Sequence, residues 1–97
     1  MKIKAEICKQ QLCMIKGLMF SKKKNLIFVF KKKMKINLHT FFVFYTINIY
    51  FLDESKKIIE IKENLKPFRF YFSKKKTKYI VESPHHLKVS EGEKITW

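Results

Sequence analysis

The amino-acid sequence predicts an all-β fold, a compact β-sandwich or jelly-roll-like barrel of about eight short strands. Three observations predict it. Residues 38–72 read LHTFFVFYTINIYFLDESKKIIEIKENLKPFRFYF, apolar and aromatic runs cut by one acidic turn and one proline. Turn signals return about every eight to twelve residues, the spacing of short strands. The 97 residues are 46% apolar with ten phenylalanines and hold only two glycines and two prolines, so a core can form without linker or low-complexity segments. This length suits one domain, residues 1–97, burying roughly 60–65% of its unfolded surface.

Lys2 to Ile7 alternates charged residues with Ile3, Ala5 and Ile7, the period of a half-buried strand. Residues 9–16 lose that alternation, and Leu12, Ile15 and Lys16 fit at most one short helical turn, stopped at Gly17. Leu18-Met19-Phe20 then returns to the core. Lys22 to Asn25 is a polar turn, Leu26 to Phe30 a strand buried on both faces, and Lys31-Lys32-Lys33 the next turn. Ile36 to Tyr45 and Ile47 to Leu52 read as two strands, or one bent near Thr46. Asp53-Glu54-Ser55-Lys56 makes a tight turn, because Asp and Ser bond backbone two residues on. Lys57 to Glu63 is its hairpin partner, with Ile59 and Ile61 inward and Glu60 and Lys62 outward. Pro67 breaks the chain. Phe68, Phe70 and Phe72 share the core face of a further strand, opposite Arg69 and Tyr71. Ser73 to Lys76 is a basic turn, Lys78 to Val81 a strand, and Lys94 to Trp97 the last strand after a turn at Gly92.

The net charge is +14, and of the 22 basic residues only Arg69 is arginine. Lysine is a hydrated point charge without the planar fork that reads base edges, so sequence-specific recognition is not expected. Residues 1–35 hold eleven lysines and one acid, Glu6. An anionic partner such as nucleic acid, met nonspecifically, would find Lys22, Lys23 and Lys24, then Lys31, Lys32 and Lys33, then Lys74, Lys75 and Lys76, with Arg69 beside them. Phe68 to Lys76 also interleaves aromatic and basic residues, as a surface that stacks bases and holds phosphate requires. The bland reading of the same lysines is solvated surface.

Cys8 and Cys13 match no zinc-ligand spacing and predict unpaired thiols in a reducing cytoplasm. Lys9 and Lys16 interrupt the early apolar run, so no signal peptide is expected. Ile36 to Leu52 carries no charge, but its length is short for a spanning helix and its composition is that of strands. His85 and His86 are adjacent and would splay, so no metal site is predicted with His39, and no cofactor is expected. The carboxylates are explained as turn formers or lysine partners, and two glycines cannot build a phosphate loop. The residues therefore predict a non-catalytic cytoplasmic binding or accessory module rather than an enzyme.

Gly17-Leu18-Met19-Phe20, Leu26 to Phe30, Leu38 to Tyr45, Ile49 to Asp53, Ile58 to Ile61, Lys66-Pro67-Phe68 and Tyr79 to Pro84, ending in the Gly92 turn, follow one another in order. In this the chain resembles the family catalogued as domain of unknown function 192, especially its short archaeal members, over roughly residues 3–97. The resemblance implies a jelly-roll-type sandwich without known catalytic residues. Where the family usually carries a methionine this chain has Thr40, and where it carries a proline and an aspartate this chain has Thr46 and Asn48. Asn48 cannot act as a general base in that aspartate's place. The polar strand positions suggest an alternative to the anionic partner, a small-molecule pocket for a ligand such as a carbohydrate, lined by His39, Thr40, Tyr45 and Asn48. That use rests on analogy with other jelly rolls.

Overall fold

The alternating apolar residues of the sequence pair into seven strands in the computed structural model, which describes residues 1–10, 17–19 and 22–97. The strands are β1 (Glu6–Cys8), β2 (Leu26–Met34), β3 (Asn37–His39), β4 (Ile47–Leu52), β5 (Ile58–Leu65), β6 (Phe70–Phe72) and β7 (Thr77–Ser83). Five of them form one sheet in the order β1-β2-β7-β4-β5, and β3 pairs with β6 in a second, two-stranded sheet. Only β1 and β2 run parallel; the other neighbours are antiparallel. The architecture is an all-β sandwich, not a closed barrel.

The large sheet is buried on both faces, which is why β4 reads as six consecutive buried residues. Period-two alternation divides them. Ile47, Ile49 and Phe51 face the small sheet, together with Leu26, Phe28 and Ile80 and with Leu38 and Tyr71 from β3 and β6. Tyr50 and Leu52 face the other way, together with Ile27 and Val81, under Leu87, Val89 and Ile95. Fully burying a side chain of this size contributes about 1.5–3 kcal/mol. Tyr50 ties down the covering segment as well, its hydroxyl accepting a hydrogen bond from the Leu87 amide at 3.0 Å. Burial raises the Tyr50 pKa.

Several predicted details hold. Asp53 Oδ1 accepts from the amides of Ser55 and Lys57 at 2.9 and 3.0 Å and so builds the predicted turn. Gly17 takes the left-handed conformation at φ 52°. Other details are corrected. Lys31-Lys32-Lys33 is not a turn but the exposed half of β2, whose register with β7 breaks between Val29 and Met34. The stretch from Ile36 to Tyr45 forms only the three-residue β3, because Thr40 turns the chain inward. Lys94 to Trp97 makes isolated bridges rather than a strand, Lys57 to Lys94 and Lys2 to Thr96. Cys8 is disulfide-bonded rather than a free thiol. The helical turn predicted near residues 9–16 falls mostly on residues 11–16, and Phe20 with it, outside the described residues.

Edge strand β5 departs furthest from its predicted pattern. Its register against β4 slips twice, between Leu52 and Phe51 and between Ile49 and Ile47. At the first slip an extra residue, Ile59, shifts the alternation, so Glu60 and Lys62 lie opposite Phe51 and Ile49 on the side of the small sheet. Glu60, predicted outward, is buried. At the second slip Glu63 and Asn64 together stand opposite Asn48.

Candidate nucleic-acid interface

The predicted inward face of Phe68, Phe70 and Phe72 points outward. Tyr71, predicted outward, is half-buried on the core, its ring tilted against Phe51 at 5.7 Å. The reversal has a polar cause. The Tyr71 hydroxyl donates to Glu60 Oε2, and Glu60 also accepts from the amides of Lys74 and Lys75 at 3.0 and 3.1 Å. Burial and then the Glu60 hydrogen bond and charge push the Tyr71 pKa up to about 12. A phenylalanine in that position would leave the buried Glu60 carboxylate short of one of its three donors.

The outward rings form a contiguous patch. Phe42, Phe44, Phe68, Phe70 and Phe72 are each between 45% and 65% exposed. Phe41 joins them edge-on to Phe70 at 4.9 Å, Phe68 meets Phe42 at 6.0 Å, and Phe70 lies parallel to Phe72 at 6.3 Å. Phe42 and Phe68 hold φ of 61° and 59°. A bulky residue in the left-handed region costs about 1–3 kcal/mol and persists only where its surroundings fix it. Thr40 does the fixing. Its hydroxyl donates to the Lys66 carbonyl at 2.6 Å and accepts from the Arg69 amide at 2.9 Å. Its own carbonyl accepts from the amides of Val43 and Phe68.

Beside the patch, between the edge of β5 and β6, lies an open recess of about 280 Å³ lined by Lys62, Asn64, Leu65, Lys66, Arg69, Phe70 and Tyr71. The Lys62 ammonium sits 6.0 Å from the centre of the Tyr71 ring. None of Lys62, Lys66 and Arg69 makes an ion pair among the described residues. The nearby acids are engaged elsewhere, Glu60 as described and Glu63 with His86 at 3.2 Å. Asn48 shapes the wall from below: buried in β4, it accepts the Asn64 amide at 3.0 Å, and Asn64 takes φ 56°.

The other residues singled out in the sequence are dispersed. The Met34–Thr77 pairing brings Lys31, Lys32 and Lys33 to the same end of the sheet as Lys74, Lys75 and Lys76. Lys22, Lys23 and Lys24 lie at the opposite end of β2, where Lys24 pairs with Glu6 at 2.6 Å. The lysine runs thus divide two against one, and Arg69 belongs to the recess. His39, Thr40, Tyr45 and Asn48 do not converge on one described cavity. His39 is exposed with its Nδ1 accepting from the Phe41 amide, and Tyr45 is half-buried, donating to the Lys22 carbonyl at 3.2 Å. Thr40 and Asn48 act instead on the backbone of the recess. No group of three or more metal-ligating side chains occurs among the described residues, nor a helix long and apolar enough to cross a membrane. Sequence reasoning missed Lys62, Asn64 and Lys66. The signal available was the Lys66-Pro67 break together with an edge strand whose alternation fails after Ile58.

The whole chain, residues 1–97, matches the model of the family DUF192, described as an uncharacterized ACR. A UPF0127 protein of Pyrococcus horikoshii is 38% identical over 88 residues, which cover 84% of this chain and 76% of that protein. One from Thermococcus sibiricus is 33% identical over 90 residues, and the match spans 84% of this chain but only 58% of the longer relative. Among solved structures, a protein of unknown function from Novosphingobium aromaticivorans superposes with a TM-score of 0.85 at 19% identity, covering 95% of this chain and 73% of its own. A Sinorhizobium meliloti protein, provisionally described as a transcription regulator, gives 0.84 at 19% identity, with 92% and 77% covered. At such identity these two likenesses establish the fold alone.

Proposed function

This chain belongs to the DUF192 family, and we propose that it is a non-catalytic binding module for single-stranded nucleic acid, which it holds without sequence preference. The observation that carries this reading is the exposed phenylalanine patch on β6 and its neighbouring loops, flanked by Lys62, Lys66 and Arg69, which make no ion pair among the described residues. A patch of this kind on a chain of charge +14 favours a partner that is both aromatic and anionic. Bases stack on Phe68, Phe70 and Phe72, and phosphates meet Lys66 and Arg69 at one end of β6 and Lys74 to Lys76 at the other. The neighbouring Lys31 to Lys33 extend that basic end. With a single arginine, sequence-specific readout of base edges is not expected.

The test is fluorescence anisotropy of end-labelled ten-nucleotide DNA and RNA at several salt concentrations. Log affinity should fall linearly with log salt, with a slope of about −0.7 for each phosphate neutralised. The paired change Phe68→Ala and Phe70→Ala should weaken binding by about 1–3 kcal/mol for each base left unstacked, with the salt slope unchanged. Absence of binding at the lowest salt would reject the reading.

A further inference from the structure

We propose that the recess between β5 and β6 is a phosphomonoester site, so that the module grips a nucleotide bearing a terminal phosphate more tightly than an internal stretch of strand. This rests on the single-strand reading above and gives that surface a polarity. The lining is Lys62, Lys66 and Arg69 with the Asn64 amide group, closed by the rings of Phe70 and Tyr71, and no carboxylate lines it. A phosphodiester in a strand carries one negative charge, whereas a phosphomonoester carries about −1.5 to −2 at neutral pH and three acceptor oxygens. Three cations that make no ion pair among the described residues are better matched by the second. The recess is at the low end of small-ligand volumes, roughly 300–1,000 Å³, and admits a phosphate with its adjoining sugar rather than a folded chain.

The site is also built in advance of any ligand. Asn48 fixes Asn64 through its amide, and Thr40 fixes Lys66 through its carbonyl and Arg69 through its amide. Three of the lining residues therefore have their backbones held by buried side chains from β4 and from the end of β3. Phe70 belongs to both the recess and the aromatic patch, so a terminal nucleotide seated here continues directly into bases stacked along β6.

The experiment compares ten-nucleotide strands ending in a 5′-phosphate, a 3′-phosphate or hydroxyls alone, labelled at the other end, by anisotropy at fixed salt. One phosphorylated strand should bind at least about fivefold more tightly than the hydroxyl strand. The paired change Lys66→Gln and Arg69→Gln, at exposed positions, should remove that preference, weakening the phosphorylated strand more than the hydroxyl strand until the two bind alike. Equal affinity for all three strands would overturn the phosphomonoester site while leaving the single-strand reading intact. If no strand binds, amide chemical shifts are followed as adenosine monophosphate and inorganic phosphate are added. Shifts confined to Asn64, Lys66 and Arg69 would support the recess as a site for free nucleotides or phosphate, and their absence would reject it.

Discussion

Two aromatic clusters lie on opposite sides of the large sheet, built from the same residue types and put to different ends. On one side Trp97 packs edge-on to Tyr79 at 5.2 Å, and the Lys56 ammonium sits 4.0 Å from the centre of its ring. The cluster is closed, each ring covered by another ring or by a cation. On the other side the phenylalanines of β6 present open rings, and the cations beside them face a recess. Among the described residues the buried polar groups are matched on both sides. Beneath the closed face Tyr50 accepts from Leu87, Asn48 from Asn64, and Ser83 donates to Asn25 at 2.6 Å. Beneath the open face the Thr40 hydroxyl and the Glu60 carboxylate are bonded as described, and the buried Glu82 carboxyl lies beside Gly17. The lesson is that aromatic content does not mark a surface as sticky; what matters is whether the fold itself has already matched the rings.

The contrast can be broken most strongly within the core. Phe51→Ala should cost about 3–5 kcal/mol, since Phe51 is fully buried beneath Tyr71, whereas Phe72→Ala on the open patch should stay within about 0.5 kcal/mol. Urea titrations of both variants check this, and equal losses would mean that the patch belongs to the core.

The next effect concerns Glu82. Burial pushes its carboxyl up to about 8, so the folded state holds a proton that the unfolded state releases from near 4.5 upward. Stability from this group is complete below about 4.5, falls as pH rises, and is lost by about 8, a difference of several kcal/mol. Glu82→Gln should flatten that slope in denaturation curves recorded between pH 5 and 9, and an unchanged slope would remove Glu82 as its source.

Thr40→Val should cost about 1–3 kcal/mol by leaving the Arg69 amide unmatched. It should also erase any phosphate-end preference, because the recess wall is then unheld; the preference surviving in a folded variant would separate Thr40 from the site. The smallest effect sharpens the closed side. Lys56→Met should cost about 0.5–1 kcal/mol, without any change in nucleic-acid affinity. A shift of affinity with that variant would place the binding surface on the wrong face.

The all-β class, strand β4 and the Asp53 turn were legible because each depends on neighbours in sequence: a run of strand-forming residues for β4 and local side-chain bonds for the turn. The orientation of β6 was not legible. Three phenylalanines alternating with Arg69 and Tyr71 predict the phenylalanines inside, and the deciding partner, Glu60, lies eleven residues away on a strand whose own phase is reset by Ile59. The candidate site was half legible for the same reason. Arg69 stood out by type, and Thr40 and Asn48 through the resemblance to the family. That they would serve a recess lined by Lys62, Asn64 and Lys66 depends on bulges and turns closed by long-range hydrogen bonds.

The two register slips of β5 have a consequence for life at high concentration. A sheet with a straight outer strand offers a row of free amides and carbonyls onto which another chain can zip, and a chain rich in phenylalanine is exposed to that hazard. Here the start of β5 is covered by bonds from Gly92 and to Glu93, and its far end is bent by the Glu63-Asn64 bulge. The opposite edge, β1, offers only three residues. The sheet therefore ends at both sides in edges too short or too crooked to template fibre growth, and the irregularity that turns Lys62 toward the recess also guards against aggregation.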